Sequence, residues 1–432
     1  MKKNKLYKEL KEFFSTKDIQ KYNYVFIRFD EESVHKDCEV DIEIADKDFL
    51  PLLKKLTKYY TNKDYFIKNF RYTKYFTQTV FYKKDYSIKY HIVTKEVKNN
   101  NFLIYDPEEI VRKNWFEFRD GLKVLKPNVE CGLMIVRNHL SDRKFSEKHK
   151  RLIKRADLKK VKAFLKKEFG YELNEQNYVK RPNFAKNFHR YVKGTIRAFK
   201  SKFMFFKDKE GKILTFYGPD GSGKTTVAKH LFEKIKINEG GNRLGTLSSY
   251  SLLNMRTKAE NYNKLRKSIE KSYSSRVKSY IRNFLSYNEK LLSYFIKILP
   301  HKLIQRNFVF ERFYLDLFTK SRRYQKYYFK HLEKIYGLLL PKADLTFLMV
   351  GKPETIRKRK DELTKKEIEE TYKFYYYLFK KYNQKYVEIN INQSLEKTKE
   401  EVFQKYLDWR TNLVLKKFKI KKCQKKKNSN QN

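Results

Sequence analysis

Apolar positions in the first 170 residues recur with two periods. Leu6, Leu10, Phe13 and Phe14 fall at helical spacing, so the opening MKKNKLYKELKEFF predicts an amphipathic helix. Residues 24–29 and 38–44 read as strands. In the second, Val40, Ile42 and Ile44 alternate with Glu39, Asp41 and Glu43. Phe49, Leu52, Leu53 and Leu56 then define one face of a helix. Residues 76–82 and 86–93 predict a hairpin turned at 83–85. Asp106 before Pro107 predicts a capped helix start, and residues 157–169 predict a helix stopped by Gly170. The pattern predicts a smaller mixed α+β domain over residues 1–170.

The pattern changes after residue 170. Residues 171–204 are basic, contain Pro182 and show weak periodicity, as expected of a connector. Short apolar runs at 213–217, 307–310, 345–350 and 386–389 then alternate with helical segments. That alternation predicts an α/β domain with a parallel sheet and flanking helices over residues 205–412. Residues 413–432 carry a lysine-rich, low-complexity run from Lys416 and predict a disordered basic tail.

Composition adds bounds to this picture. Hydrophobic residues make up 40% of the 432 and aromatics 16%, enough for packed cores despite a net charge of +50. The charge suits a polyanionic partner such as nucleic acid, an anionic membrane face or an acidic polysaccharide, although the lysines are spread along the chain. Scarce glycine and proline alongside abundant lysine, tyrosine and phenylalanine equally suit an A/T-biased genome. Cys38, Cys131 and Cys423 have neither metal-ligand nor redox spacing and read as reduced thiols of a cytoplasmic protein. No apolar run reaches the length of a membrane span.

The sharpest chemistry lies at residues 218–226, where Gly218, Pro219, Asp220, Gly221, Ser222, Gly223, Lys224, Thr225 and Thr226 satisfy G-x-x-x-x-G-K-[ST]. An apolar run precedes the motif, and Val227, Ala228 and Leu231 continue it at helical spacing. Such a loop needs glycine to wrap a phosphate closely, and its backbone N–H groups and helix N-terminus face the anion. Lys224 then neutralises the terminal phosphates of ATP, and the Thr225 hydroxyl meets Mg²⁺. The expected class is a P-loop NTPase fold.

The wider motif, G-P-D-G-S-G-K-T-T, resembles the loop of the thymidylate kinases. That resemblance places Asp220 near the sugar of the phosphoryl acceptor. Glu311-Arg312-Phe313 is similar to the family's Asp-Arg-Tyr/Phe motif, with Asp316 and then Ser321-Arg322-Arg323-Tyr324 matching a divergent branch. It implies that Arg312 contacts transferring or acceptor phosphate and that Glu311, longer than the usual aspartate, serves the metal. Pro341 to Leu345 resembles the P-x-x-D-L strand, and Arg357, Arg359, Lys360, Glu362 and Leu363 resemble a lid. Arg359 is thereby implied in stabilising the transferred group. The segment 245–301, where the family binds its base, carries no matching motif, which puts dTMP in doubt as the acceptor.

The run CEVDIEIADKDFLPLLKKL resembles a nucleotidyltransferase strand and helix, with Glu39 and Asp41 as the implied metal pair. No Gly-Ser element precedes it; Phe29-Asp30-Glu31 stands there instead. The place of the third carboxylate is taken by His91, with Asp37 as a substitute. Residues 128–143, with His139, correspond to the family's following helix. The same alternation equally describes a solvated strand face. A nucleotidyltransferase-like domain ahead of a thymidylate kinase-like one resembles bacterial and archaeal proteins associated with surface-polysaccharide genes. Three readings follow: an ATP- and Mg²⁺-dependent kinase acting on a nucleotide or other small acceptor, a nucleotide-gated binder of a polyanion, and an active nucleotidyltransferase. A homodimer is among the assemblies expected.

Overall fold

The computed structural model describes residues 3–27, 37–73, 76–84, 86–94, 97–98, 102–104, 106–140, 147–172, 187–196, 211–235, 242–245, 276–303, 306–319 and 329–421. It is a mixed α/β structure of two compact units. One comprises Met1–Asp208 with Leu407–Asn432, the other Lys209–Tyr406. The side chains of Asp37 and His139, and residues 29–31 and 321–324, lie outside the description.

The first unit holds strands β1 (Tyr24–Ile27), β2 (Asp37–Ile44), β3 (Phe66–Thr73), β4 (Phe76–Lys83) and β5 (Tyr86–Val93). The short pair β6 (Val97–Lys98) and β7 (Phe102–Leu103) stands apart, and β8 (Phe116–Arg119) and β9 (Leu122–Leu125) complete the main sheet. The order is β3-β4-β5-β2-β1-β9-β8, with β2–β5 and β1–β9 parallel and the other neighbours antiparallel.

Strand alternation splits the core between the two faces. Tyr24, Phe26, Val40, Ile42, Ile88 and Tyr90 pack with the helices Lys3–Phe14 and Asp46–Asn62. Val25, Ile27 and Leu125 pack with the helices Pro127–Leu140 and Leu158–Phe169. Asp106 accepts a bond from Glu108 N, and Gly170 closes the Leu158–Phe169 helix in the left-handed conformation, as the sequence predicted at both places.

Two segments differ from their sequence-based expectation. Within the expected connector 171–204, residues 187–196 are helical. Arg190, 1% exposed, bonds Glu109 at 2.6 Å and lies 4.6 Å above the Phe169 ring, so a buried ion pair holds a stretch with weak periodicity. The expected tail from 413 is helical to Phe418, as part of the helix Leu395–Phe418. Val414 and Phe418, one turn apart, are buried in the first unit's core, and the Thr411 hydroxyl accepts a bond from Ile67 N at 2.8 Å. The flanking lysines mask that apolar stripe in the sequence. Residues 422–432 lie outside the description.

The second unit holds one five-stranded sheet in the order β11-β12-β10-β13-β14, every neighbouring pair parallel. Its strands are β10 (Ile213–Tyr217), β11 (Asn242–Gly245), β12 (Asn307–Phe310), β13 (Leu345–Val350) and β14 (Tyr386–Asn390). β10 is central and wholly buried, which accounts for its unbroken apolar sequence. Asp344, the acid of the P-x-x-D-L stretch, is structural: it accepts from Ile213 N at 2.9 Å and pairs Lys212, tying the starts of β13 and β10. β10 leads into the loop 218–223 and the helix Lys224–Ile235, while β12 leads into Glu311 and Arg312. Adjacent parallel strands therefore deliver both motifs to one carboxyl edge, where open α/β sheets bind ligands.

Candidate phosphate-binding site

The loop after β10 turns on three glycines, Gly218 at φ 148°, Gly221 at 87° and Gly223 at 81°. Side chains disfavour that region of backbone space. At Gly221 space is short as well: a Cβ there would lie 3.0 Å from Ile356 O and 3.1 Å from Lys360 Cβ. The segment Pro353–Lys360 thus approaches the loop at Gly221, where the absence of a side chain leaves room for it.

Lys224, at the start of the following helix, is 4% exposed. Its ammonium donates to Gly218 O at 2.8 Å and Pro219 O at 2.6 Å, folded onto the loop's own carbonyls. Burial, reinforced by the Arg312 guanidinium, lowers its pKa from 10.5 to about 8. The exposed Thr225 donates its hydroxyl to Glu311 at 2.5 Å, so the loop and the end of β12 meet through a side-chain hydrogen bond. Thr226 is exposed beside it.

Arg312 stands between two carboxylates, bonded to Asp220 of the loop and, at 3.4 Å, to Asp316 one turn onward. Burial opposes its charge, but Asp316 and Asp220 more than offset that and hold its pKa above the ordinary value. Gly218 to Thr226, Glu311 and Arg312 are thus brought together. Arg359 is placed elsewhere: its guanidinium donates to Ile391 O at 3.0 Å, beyond the end of β14. Arg357 pairs with Asp361 and Lys360 with Glu362, so two of the segment's four consecutive cations are matched by the acids that follow them. A capping box of Thr364 and Glu367 then starts the helix Lys365–Lys381.

One residue at the site carried no sequence signal. Tyr375, on that helix, is buried and donates its hydroxyl to Asp316 at 2.7 Å. It lies in the run TYKFYYYLFKK, where neighbouring tyrosines and phenylalanines hide it; only the contact with Asp316 distinguishes it.

On the first unit, Glu39 and Asp41 share the strand face opposite the buried Val40 and Ile42, as alternation predicted. Glu39 pairs with Lys89 at 3.0 Å and Asp41 with His91 Nδ1 at 3.2 Å across the parallel β2–β5 register. The neighbours of this pair are thus a cation and an imidazole. Among the described residues, no group of three or more His, Cys, Asp or Glu side chains is placed to hold a metal ion. The described residues likewise contain no helix long and apolar enough to cross a membrane.

No family model matches the sequence, and no curated protein does. Among solved structures, a thymidylate kinase from Ehrlichia chaffeensis is a weak neighbour, at 17% identity and a TM-score of 0.33. The likeness covers 46% of this chain and 99% of that one. At that level any functional reading rests on this chain's own side chains.

Proposed function

We propose that the second unit is a P-loop kinase that transfers a phosphoryl group from ATP, with Mg²⁺, to a nucleotide or another small acceptor. The observation that carries this reading is the loop itself: positive-φ glycines between a buried central strand and a helix that starts with a buried lysine. The donor set fits the two cofactors. Lys224 is a sequestered cation able to exchange two carbonyls for phosphate oxygens, and Thr225 with Glu311 forms an oxygen pair suited to a hard cation. When bound, ATP supplies the phosphoryl group and Mg²⁺ offsets its charge.

The chain's own residues supply positioning and electrostatics. Lys224 would neutralise the terminal phosphates, Thr225 and Glu311 would hold the ion, and Arg312 would offer its donors to the transferring group. The segment Pro353–Lys360, already against Gly221, covers the loop and keeps water from competing with the acceptor. Arg359 joins this set only after leaving Ile391 O. The expected parallel-sheet P-loop fold and the thymidylate kinase-like class belong to this proposal, supported by the all-parallel order around β10.

The test is transfer of labelled phosphate from ATP across a panel of nucleotides and sugar phosphates, with Lys224→Ala as control. Transfer to at least one acceptor that disappears in the variant is expected. ATP binding and transfer indifferent to Lys224 would sink the reading.

A further inference from the structure

Arg312 has two carboxylate partners, and they differ in kind. Asp220 belongs to the loop itself, and its side chain is 27% exposed. Asp316 is 5% exposed at the side chain and is braced from behind by Tyr375. Tyr375 is 2% exposed, and its ring packs against Phe379 and against Tyr217, the last residue of β10 before the loop. Burial, then the neighbouring Asp316 carboxylate, pushes its phenol far above the ordinary range, so the hydroxyl remains a donor. Asp316 is thereby held at both oxygens, Oδ1 by Tyr375 and Oδ2 by Arg312.

An anion arriving at the loop competes with Asp220 for the same guanidinium. Arg312 can meet it only if something other than Asp220 holds the side chain in place. We propose that Asp316 and Tyr375 are positioning residues: they anchor Arg312 at the loop while its bond to Asp220 is exchanged for a phosphate oxygen. Asp220 is then the displaceable partner and Asp316 the permanent one. The anchor stands on the helix that follows the basic segment, and Tyr372, one turn earlier, fixes that helix by accepting from Gly351 N and donating to Met349 O. Weakening the anchor leaves Arg312 to Asp220, which withdraws it from the ligand.

This inference rests on the phosphoryl-transfer reading, and two readouts on the full chain separate them. Tyr375→Phe keeps the ring packing and removes only the hydroxyl; Asp316→Asn keeps shape and removes charge. In ATP-dependent transfer, Tyr375→Phe is expected to lower kcat about tenfold while leaving KM for ATP within about twofold. Asp316→Asn is expected to lose more, and adding Asp220→Asn to either variant to restore part of the rate, because the competing partner is weakened. A wild-type kcat in Tyr375→Phe would overturn the proposal, as would a loss that Asp220→Asn leaves untouched. The second readout needs neither ATP nor turnover: the rate at which phenylglyoxal modifies Arg312, followed by mass spectrometry of the ligand-free protein. Faster modification in both variants supports the anchor even if the wild type binds no ATP, the outcome that would defeat the kinase reading alone. Modification at the wild-type rate in Tyr375→Phe refutes the anchor whatever the kinetics show.

Discussion

Replacing Lys224 by methionine should remove nucleotide binding and at the same time stabilise the ligand-free second unit. The side chain is 4% exposed, and its pKa falls from 10.5 to about 8 because burial disfavours the charged form. A depression of that size corresponds to roughly 3 kcal/mol of cost for carrying the charge at neutral pH. Methionine fills a similar volume without charge and removes that cost. It also strips donors from Gly218 O and Pro219 O, at about 1 kcal/mol for each carbonyl. The expected net effect near neutral pH is a gain of about 1 kcal/mol, read from urea denaturation of the full chain through a probe in the second unit.

The pH dependence identifies the cause. The unfolded lysine holds its proton up to its ordinary pKa, while the folded one releases it near 8. Between those values the unfolded state binds more protons, so the wild-type stability rises with pH and the charge cost disappears. The variant's advantage must therefore be greatest below the folded pKa and vanish, or reverse, as pH approaches 10.5. A variant that is less stable at neutral pH, with a difference that does not move with pH, refutes the burial argument. The same titration predicts that ATP affinity of the wild type weakens as pH rises through about 8, measurable by calorimetry.

Three further outcomes follow from particular contacts. Gly223→Ala meets no atom within 4 Å and should lose only the left-handed backbone penalty, about 1–2 kcal/mol, whereas Gly221→Ala also strikes Ile356 O and should melt at a clearly lower temperature. Equal melting temperatures for the two would contradict that geometry. Glu109→Gln leaves Arg190 buried with a weakened partner and should destabilise the first unit by about 3 kcal/mol in urea. Burial opposes the Glu109 charge, but Arg190 and Lys113 outweigh it and hold its pKa low, so the wild-type advantage should shrink as acid protonates the carboxylate. Phe418→Ala opens space against Phe70 in the first unit's core and should cost about 3 kcal/mol, measured by the same denaturation; an unaffected midpoint would place that helical end outside the core.

Local patterning made much of this protein legible. Alternation along 38–44 placed Val40 and Ile42 on one face of the sheet and Glu39 and Asp41 on the other, because a strand has no other way to divide its side chains. The loop 218–226 was legible for a similar reason: glycine, lysine and threonine at fixed spacing serve one backbone path, and all of them lie within nine residues. Its partners were legible as residue types but not as contacts. Glu311 reaches Thr225 because β12 lies beside β10, an adjacency that depends on two crossovers. Arg359 was expected at the phosphates, yet it bonds Ile391 O, because the nearest acceptor in space belongs to a strand end far along the chain.

The helix at 187–196 and the helical end at Phe418 escaped for another reason. The 187–196 helix buries Asn187 and Arg190 and leaves Phe188, Val192 and Ile196 exposed, so hydrophobic periodicity carries no signal for it, while Val414 and Phe418 are two apolar residues among lysines that read as solvated chain until a buried surface receives them. Tyr375 is the extreme case. Nothing in a run of tyrosines distinguishes the one whose hydroxyl meets Asp316, since that depends on how the helix rotates onto the sheet. The loop, the strand faces and the helix caps could be read along the chain, because they are set by interactions between near neighbours. Folding was needed to bring together charges distant along the chain, Arg312 with Asp220 and Arg190 with Glu109, because such a pair depends on distance in space and not on separation in sequence.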